Sequence, residues 1–454
     1  MATLFLLLSA VSTLRYNLRR RYFGELAGAT VLLTLAAVVG KPITFGREVT
    51  VAHTFGANDL VDFVIIAQFI PVLFAGLIAG GAVLSLPALA RRDGAEPGDI
   101  DVGIARAYSN RILRYEAAAL CVAVILLGPI LSLHSPLSIP VAFAILLFLS
   151  IQAWCDSATA LYAQLLRLNG HFGRAAFQFA LNGALSAVII LTLGPQIGII
   201  AWPLAMFVDS LWQVFFLRSA LRRVMPAAKG LHISFRHLLV AFGPALALFG
   251  FTMLYGLTDR LIGIAATAGT LALWTWALQV GATTTGVVAT PVATVVFSRS
   301  HSRGTQESAL YGRALIFAVG LSLPTVLAYF LFGPALVELI FSGGQLSTGN
   351  IAHLVNLIRF AVLASVPLAV FAITSRACAA RGAFAVSLKS FAVGGVLYPL
   401  IVLAMFSKLG YLSLGIGYLL AATVTAVLSL GATIRRGWLV LPAWPFLRGL
   451  RQGA

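Results

Sequence analysis

Acidic side chains are the scarcest ingredient of this chain: 14 Asp and Glu stand against 31 Lys and Arg in 454 residues, and charged residues of both signs make up only 10%. A water-soluble domain needs about 25% charged residues to clothe its surface, so that class is excluded. Hydrophobic residues reach 60% and run the whole length, which leaves the lipid bilayer as the solvent for most of the chain. Cysteine is almost missing too. Cys121, Cys155 and Cys378 all fall inside apolar stretches, where they read as packing residues rather than as a disulfide framework. The histidines are scattered, and His232 with His237, the nearest two, have no cysteine or carboxylate companion. No metal site and no cofactor are expected. A Gly-rich phosphate loop ending in Lys-Ser/Thr is absent, as is a Gly-x-Ser-x-Gly nucleophile, so no enzyme activity is indicated.

The net charge of +17 could suggest a nucleic-acid partner. Its distribution argues otherwise. Basic residues gather in short loops between apolar runs: Arg19 to Arg21, Arg91 and Arg92, Arg167 and Arg174, Arg218 to Arg223, Arg299 and Arg303, Arg376 and Arg381, Arg435 and Arg436. Every second loop is basic and the loops between them are short and nearly free of positive charge, Lys408 being the exception. That is the positive-inside pattern, and it puts both termini in the cytoplasm. No contiguous basic face is left for RNA or DNA, so no nucleic-acid partner is expected.

Runs of about 20 apolar residues cross a bilayer as helices. Twelve are expected, at 25–50, 58–90, 112–133, 137–165, 174–194, 197–218, 237–264, 268–298, 311–337, 351–376, 384–407 and 411–434. The N-terminal apolar stretch is too short to span; it reads as an interfacial segment or a start set too far upstream, ahead of a cleaved signal peptide.

What is there, above all, is repetition. Arg47 to Gly56 lines up with Arg260 to Gly269 at an offset of 213, and Gly170, Gly198 and Arg223 line up with Gly382, Gly410 and Arg435 at an offset of 212. Gly128-Pro129 answers Gly333-Pro334 at a slightly shorter offset. Two homologous halves joined head to tail are the reading. The expected fold is an all-α polytopic membrane protein, with about twelve transmembrane helices in two six-helix bundles around a central cavity. Its parts are a cytoplasmic N-terminal segment at 1–24, bundles at 25–223 and 237–436, a cytoplasmic linker at 224–236, and a tail at 437–454.

An ionisable side chain at bilayer depth costs at least about 2.5 kcal/mol on insertion scales, so it is expected to face a cavity or a partner. The candidates are Lys41, Arg47, Glu48, Asp62, Asp156, Asp209, Asp259, Arg260 and Arg359. Lys41 and Glu48 return to one face of the first helix, with Pro42 between them to bend it. Arg47 is open to two readings, a cavity cation or a local partner of Glu48 or Asp62. Arg260 is its repeat equivalent, and parallel halves place such pairs across a pseudo-two-fold axis; adjacent Asp259 is the alternative, as a local neutraliser. Arg359 is a further cavity cation or a partner for Glu338. Asp62, Asp156 and Asp209 suit either Na⁺ or H⁺ coupling or a hydrogen-bonded structural role. Trp154, Trp202, Trp212, Trp274 and Trp276 read chiefly as interface anchors and packing.

Residues 44–89, beginning TFGREVTVAHTFGANDLVDF, resemble the MurJ/MviN group of the multidrug/oligosaccharidyl-lipid/polysaccharide exporter superfamily. Arg47, Glu48, Phe55, Gly56, Ala57, Asp62, Pro71, Gly81 and Ala82 follow its pattern in register, and the likeness resumes at Gly243-Pro244 and Gly333-Pro334. There are departures. Lys41 stands where the group's first cavity arginine is found, and Thr44 holds a glycine position. The arginine pair after the second-helix proline is replaced by Ala75-Gly76, and an eighth-helix Asp-Arg by Leu278-Gln279. Asp259-Arg260 instead is similar to the pattern of O-antigen and exopolysaccharide flippases, and the two extra C-terminal helices typical of lipid II flippases are not expected.

The resemblance implies a bacterial inner-membrane flippase that moves undecaprenyl-diphosphate-linked sugars outward by alternating access. Its partners would be a lipid-linked oligosaccharide, membrane lipids and, for coupling, Na⁺ or H⁺. Lys41, Arg47, Arg260 and Arg359 are the expected substrate cations, with Glu48, Asp62, Asp156, Asp209 and Asp259 as coupling or pairing groups. Arginine forks bind phosphate oxygens bidentately and stay charged. A cation-coupled multidrug antiporter of the same superfamily is the alternative, and a membrane polysaccharide polymerase or ligase a more distant one.

Overall fold

The computed structural model describes residues 25–89, 102–133, 135–169, 171–181, 183–224, 250, 253–263, 265–300 and 307–441. Among them are helices and turns and no strand. The expected N-terminal segment, the linker beyond Val224 and the tail beyond residue 441 lie outside the described residues.

The first half holds α1 (Glu25–Phe55), α2 (Asp59–Leu89), α3 (Val102–Leu133), α4 (Ile139–Leu168), α5 (Phe172–Leu181), α6 (Ala184–Ile197) and α7 (Ala201–Val224). After the helical residues 253–263, the second half continues with α8 (Thr270–Ser300), α9 (Glu307–Phe341), α10 (Thr348–Ala380), α11 (Phe384–Leu409) and α12 (Leu412–Arg435). Seven stretches of the described residues are long and apolar enough to cross a membrane. One of them, Ala184–Val224, comprises α6, a 3₁₀ turn at Gly198–Ile200 and α7. The outward faces of these helices remain apolar: Phe143, Leu191, Phe332 and Leu339 are among the exposed large side chains. That is the surface lipid requires.

The fifth expected span, 174–194, is not one helix. It breaks between α5 and α6, at Gly183, whose φ is 97°. Only glycine takes this left-handed backbone without strain, and a Cβ there would stand 2.9 Å from Thr44 Cα on α1. The freed Gly183 N–H donates to Asp209 Oδ2 on α7 at 3.0 Å.

Repeat-related positions share backbone and packing. Gly56 and Gly269 have φ of 74° and 83°, and Gly198 and Gly410 have φ of 64° and 54°. In the first half α4 packs on α2, α3 and α7; in the second, α10 packs on α8, α9 and α12. The halves meet mainly through α1 against α8. One apolar core joins them near the α1–α2 turn, where Val51, Val61 and Ile65 pack with Leu271, Trp274 and Leu354. Further along, each half has its own core, around Leu86, Leu161 and Leu217 in the first and Ala289, Tyr311 and Ile373 in the second. The two halves are thus joined at one end.

Candidate substrate cavity

Inside the joined end lies a cavity of about 370 Å³, walled by α1, α2, α4, α7 and one residue of α8. Its lining is polar: Lys41, Thr44 and Arg47 from α1, Gln68 from α2, Gln152 and Asp156 from α4, Ser210 and Gln213 from α7, and Gln279 from α8. Each helix presents these residues because its other faces are committed to packing or to lipid. On α4, Leu149, Ala153 and Cys155 are buried among neighbouring helices, which leaves Gln152 and Asp156, one turn apart, on the face turned to the opening.

Lys41 reaches across from α1 and its stem lies against Gly286 of α8, where a Cβ would stand 2.8 Å from Lys41 Cε. Arg47 is paired locally: its Nε donates to Glu48 Oε1 at 3.0 Å, and Nη2 donates to the same oxygen. This pair is the one ion pair among the described residues, so Lys41 enters the cavity with no carboxylate bound to it. Asp156 is held by Ser210, whose hydroxyl donates to Oδ1 at 2.6 Å, and by the Gln152 amide.

The other expected residues stand elsewhere. Asp209 holds the α5–α6 break through Gly183 and accepts from Gln213 at 3.2 Å. Asp62 accepts from Gly269 N and Ala272 N, both at 2.8 Å. It thereby caps the N-terminus of α8 across the junction of the halves, where amide donors and helix dipole both favour a carboxylate. Asp259 accepts from Trp274 Nε1 at 2.8 Å and Tyr398 OH at 2.5 Å, so it is tied to α8 and α11 instead of to Arg260. Arg260 lies with Cζ 4.8 Å from the centre of the Phe69 ring. Its Nη1 donates to Gly256 O at 3.1 Å and its buried Nε has no partner. It is neighbour to the cavity through Phe69, which adjoins Gln68, and is not part of the wall. Arg359 is exposed on α10 and donates to Asn356 at 3.2 Å. Of the tryptophans, Trp274 and Trp276 are fully buried, whereas Trp212 is exposed.

Sequence reasoning passed over Gln68, Gln152, Ser210 and Gln213, since neutral amides and hydroxyls carry no insertion cost large enough to single them out. The available signal was the Gln152–Asp156 spacing, which stacks two polar groups on one face of an apolar helix.

Spanning helices in two halves, with an unpaired lysine and an ion-paired arginine in a polar cavity of the first half that Gln279 of the second adjoins, define a multi-pass membrane transporter. The chain belongs to the lipid II flippase MurJ family, whose model matches residues 51–444. Among solved structures it is similar to a lipid II flippase MurJ in an inward closed conformation, with a TM-score of 0.71 and 16% identity over 90% of this chain and 89% of that one. It is also similar to a MATE transporter in complex with MaL6, with a TM-score of 0.70 and 17% identity over 91% and 97%. An inward-facing multidrug resistance MATE transporter of the MOP superfamily aligns with a TM-score of 0.68 and 17% identity over 90% and 98%. At these identities the structural likeness speaks for the fold. No curated protein matches the sequence.

Proposed function

We propose that this protein moves undecaprenyl-diphosphate-linked sugars, lipid II foremost, from the cytoplasmic to the outer leaflet of a bacterial inner membrane. Family membership supports the substrate class, and the observation that carries the reading is Lys41, a cation with no carboxylate bound to it in a polar cavity of the first half that Gln279 of the second adjoins. A diphosphate supplies the missing anion. Arg47 adds a second positive centre, and Gln68, Gln152, Gln213 and Gln279 offer amides suited to sugar hydroxyls. The lipid tail would stay in the bilayer while the headgroup crosses.

The basic loops favour cytoplasmic termini. In that orientation the α1–α2 turn, Gly269 and the turn at 342–345 face outward. Those segments are the ones that meet: Asp62 caps α8, and His53 Nε2 lies 2.7 Å from Ile340 O. The outer end is then the closed one, and the headgroup enters from the cytoplasm. A coupling cation, Na⁺ or H⁺, or the membrane potential would supply energy; the potential is worth about 2.3 kcal/mol per charge per 100 mV.

The fold likeness to multidrug transporters supports a second reading, a cation-coupled drug antiporter. A cavity for cationic drugs would favour acidic walls, and Lys41 with Arg47 weigh against it. Depletion in cells separates the two: lipid II held in the inner leaflet, read by mass spectrometry with an impermeant leaflet probe, supports the flippase. Unchanged lipid-linked sugars with raised sensitivity to lipophilic cations would support the antiporter.

A further inference from the structure

A buried acid lies behind the cavity wall. Glu116 sits in the stripe of α3 made by Ile112, Leu113, Leu120 and Val124, and is itself fully buried. This stripe turns α3 onto α4, so a carboxyl group occupies a position that packing alone would give to leucine or alanine. Its Oε1 accepts from Ser157 Oγ of α4. Its Oε2 is buried with no hydrogen-bond partner.

Among the described residues, the charges around it do not supply a counterion. Asp156, next to Ser157 on α4, adds a like charge. The other helix packed on α3 is α2, whose ionisable residues are Asp59 and Asp62 in its first turn. On α3 itself Arg111 engages Tyr115, its Nε donating to the hydroxyl at 3.0 Å, and Arg114 is exposed. Arg106 of α3 and Arg218 and Arg222 of α7 lie within electrostatic reach of Tyr162. A buried carboxylate with neither a cation nor a full set of donors takes up a proton in preference to remaining charged.

We propose that Glu116 carries a proton in this conformation and is a proton-binding site of the first half, loaded and emptied as the cavity opens alternately to the two sides. Ser157 and Asp156 are consecutive on α4, so the acid that lines the cavity and the hydroxyl that holds Glu116 move as one unit. Gln152, which clamps Asp156, keeps its own carbonyl oxygen without a partner, a free acceptor beside this route. On release, the Glu116 O–H bond breaks, the proton passes to water admitted from the cavity, and a carboxylate remains. Uptake is the reverse. The proposal rests on the alternating-access reading of the cavity.

The test is infrared difference spectroscopy of the full-length protein in lipid, titrated with protons alone, beside flipping assays under an imposed pH gradient. Wild type should show a protonated-carboxyl band that is lost in Glu116→Gln and displaced in Ser157→Ala, where the acid loses its donor. The same Glu116→Gln should abolish stimulation of flipping by the gradient while leaving downhill flipping in place. A band unchanged in both variants overturns the proposal; Ser157→Ala keeps it falsifiable if Glu116→Gln fails to fold. If the band behaves as expected but wild type moves no lipid-linked sugar, the proton site stands and the flippase reading falls.

Discussion

Three cations of the membrane interior, Lys41, Arg47 and Arg260, behave differently because their neighbours differ. Arg47 has Glu48 beside it and Arg260 has the Phe69 ring, whereas Lys41 meets the cavity with no carboxylate bound to it. A hydrogen bond to a charged group contributes about 1.5–3 kcal/mol. Lys41→Ala should therefore lower lipid II flipping by roughly 10- to 100-fold, with insertion and helicity unchanged, and Lys41→Arg should restore most of it. Arg47→Ala should cost stability as well as transport, because it leaves Glu48 buried without its partner; a lower unfolding midpoint in detergent would check this. These charges were legible in the sequence because each stands out against apolar surroundings. The glutamines of the wall were not, and Glu116 escaped notice because it follows Arg114 and Tyr115 near a basic helix end. Nothing in its spacing separates a core acid from an interfacial one.

Glycines and caps decide how the helices fit together. Gly183 breaks the fifth span at φ 97° against Thr44. A left-handed backbone costs a residue with a side chain about 1–2 kcal/mol, and the close approach adds to it. Gly183→Ala should thus destabilise the protein by about 2 kcal/mol or more, seen as a fall in thermal midpoint. Gly286 is tested differently, since Lys41 lies over it. Gly286→Val should displace that stem and reproduce the transport defect of Lys41→Ala while keeping every charge. Asp62 joins the two halves through the first turn of α8. In the proposed orientation, Asp62→Ala should let the outer end open more often, and a cysteine placed at Gln345, after replacement of Cys121, Cys155 and Cys378, should react about tenfold faster or more with an impermeant thiol reagent. Unchanged labelling would mean that the apolar core holds this end without Asp62. Helix positions were legible from the apolar runs. The break at Gly183 was hidden because Leu181, Asn182 and Gly183 interrupt the run no more than other glycines do, and its cause, Asp209, lies on another helix.

At the scale of the molecule, one architecture produces both the cavity and its closure. Each half has its own core, and a shared core joins the halves at the α1–α2 turn. In the proposed function, parting of that junction would expose the cavity to the outer side without unfolding either half. The sequence repeat announced this plan through paired turns, since glycine is retained where the left-handed backbone recurs, at Gly56 with Gly269 and Gly198 with Gly410. It could not announce which repeat-related charges meet in space. Arg260 was expected to share the cavity with Arg47, yet its guanidinium lies over the Phe69 ring, outside the wall. In the proposed function, headgroup recognition falls mainly to the first half, with Gln279 the second half's contribution. Its most direct test is transbilayer movement of labelled lipid II in vesicles containing the purified protein, read by an impermeant reagent that reacts only with headgroups outside. The account predicts movement in wild type and its loss in Lys41→Ala. Vesicles that move neither lipid II nor another undecaprenyl-diphosphate-linked sugar, yet exchange lipophilic cations for protons, would contradict it.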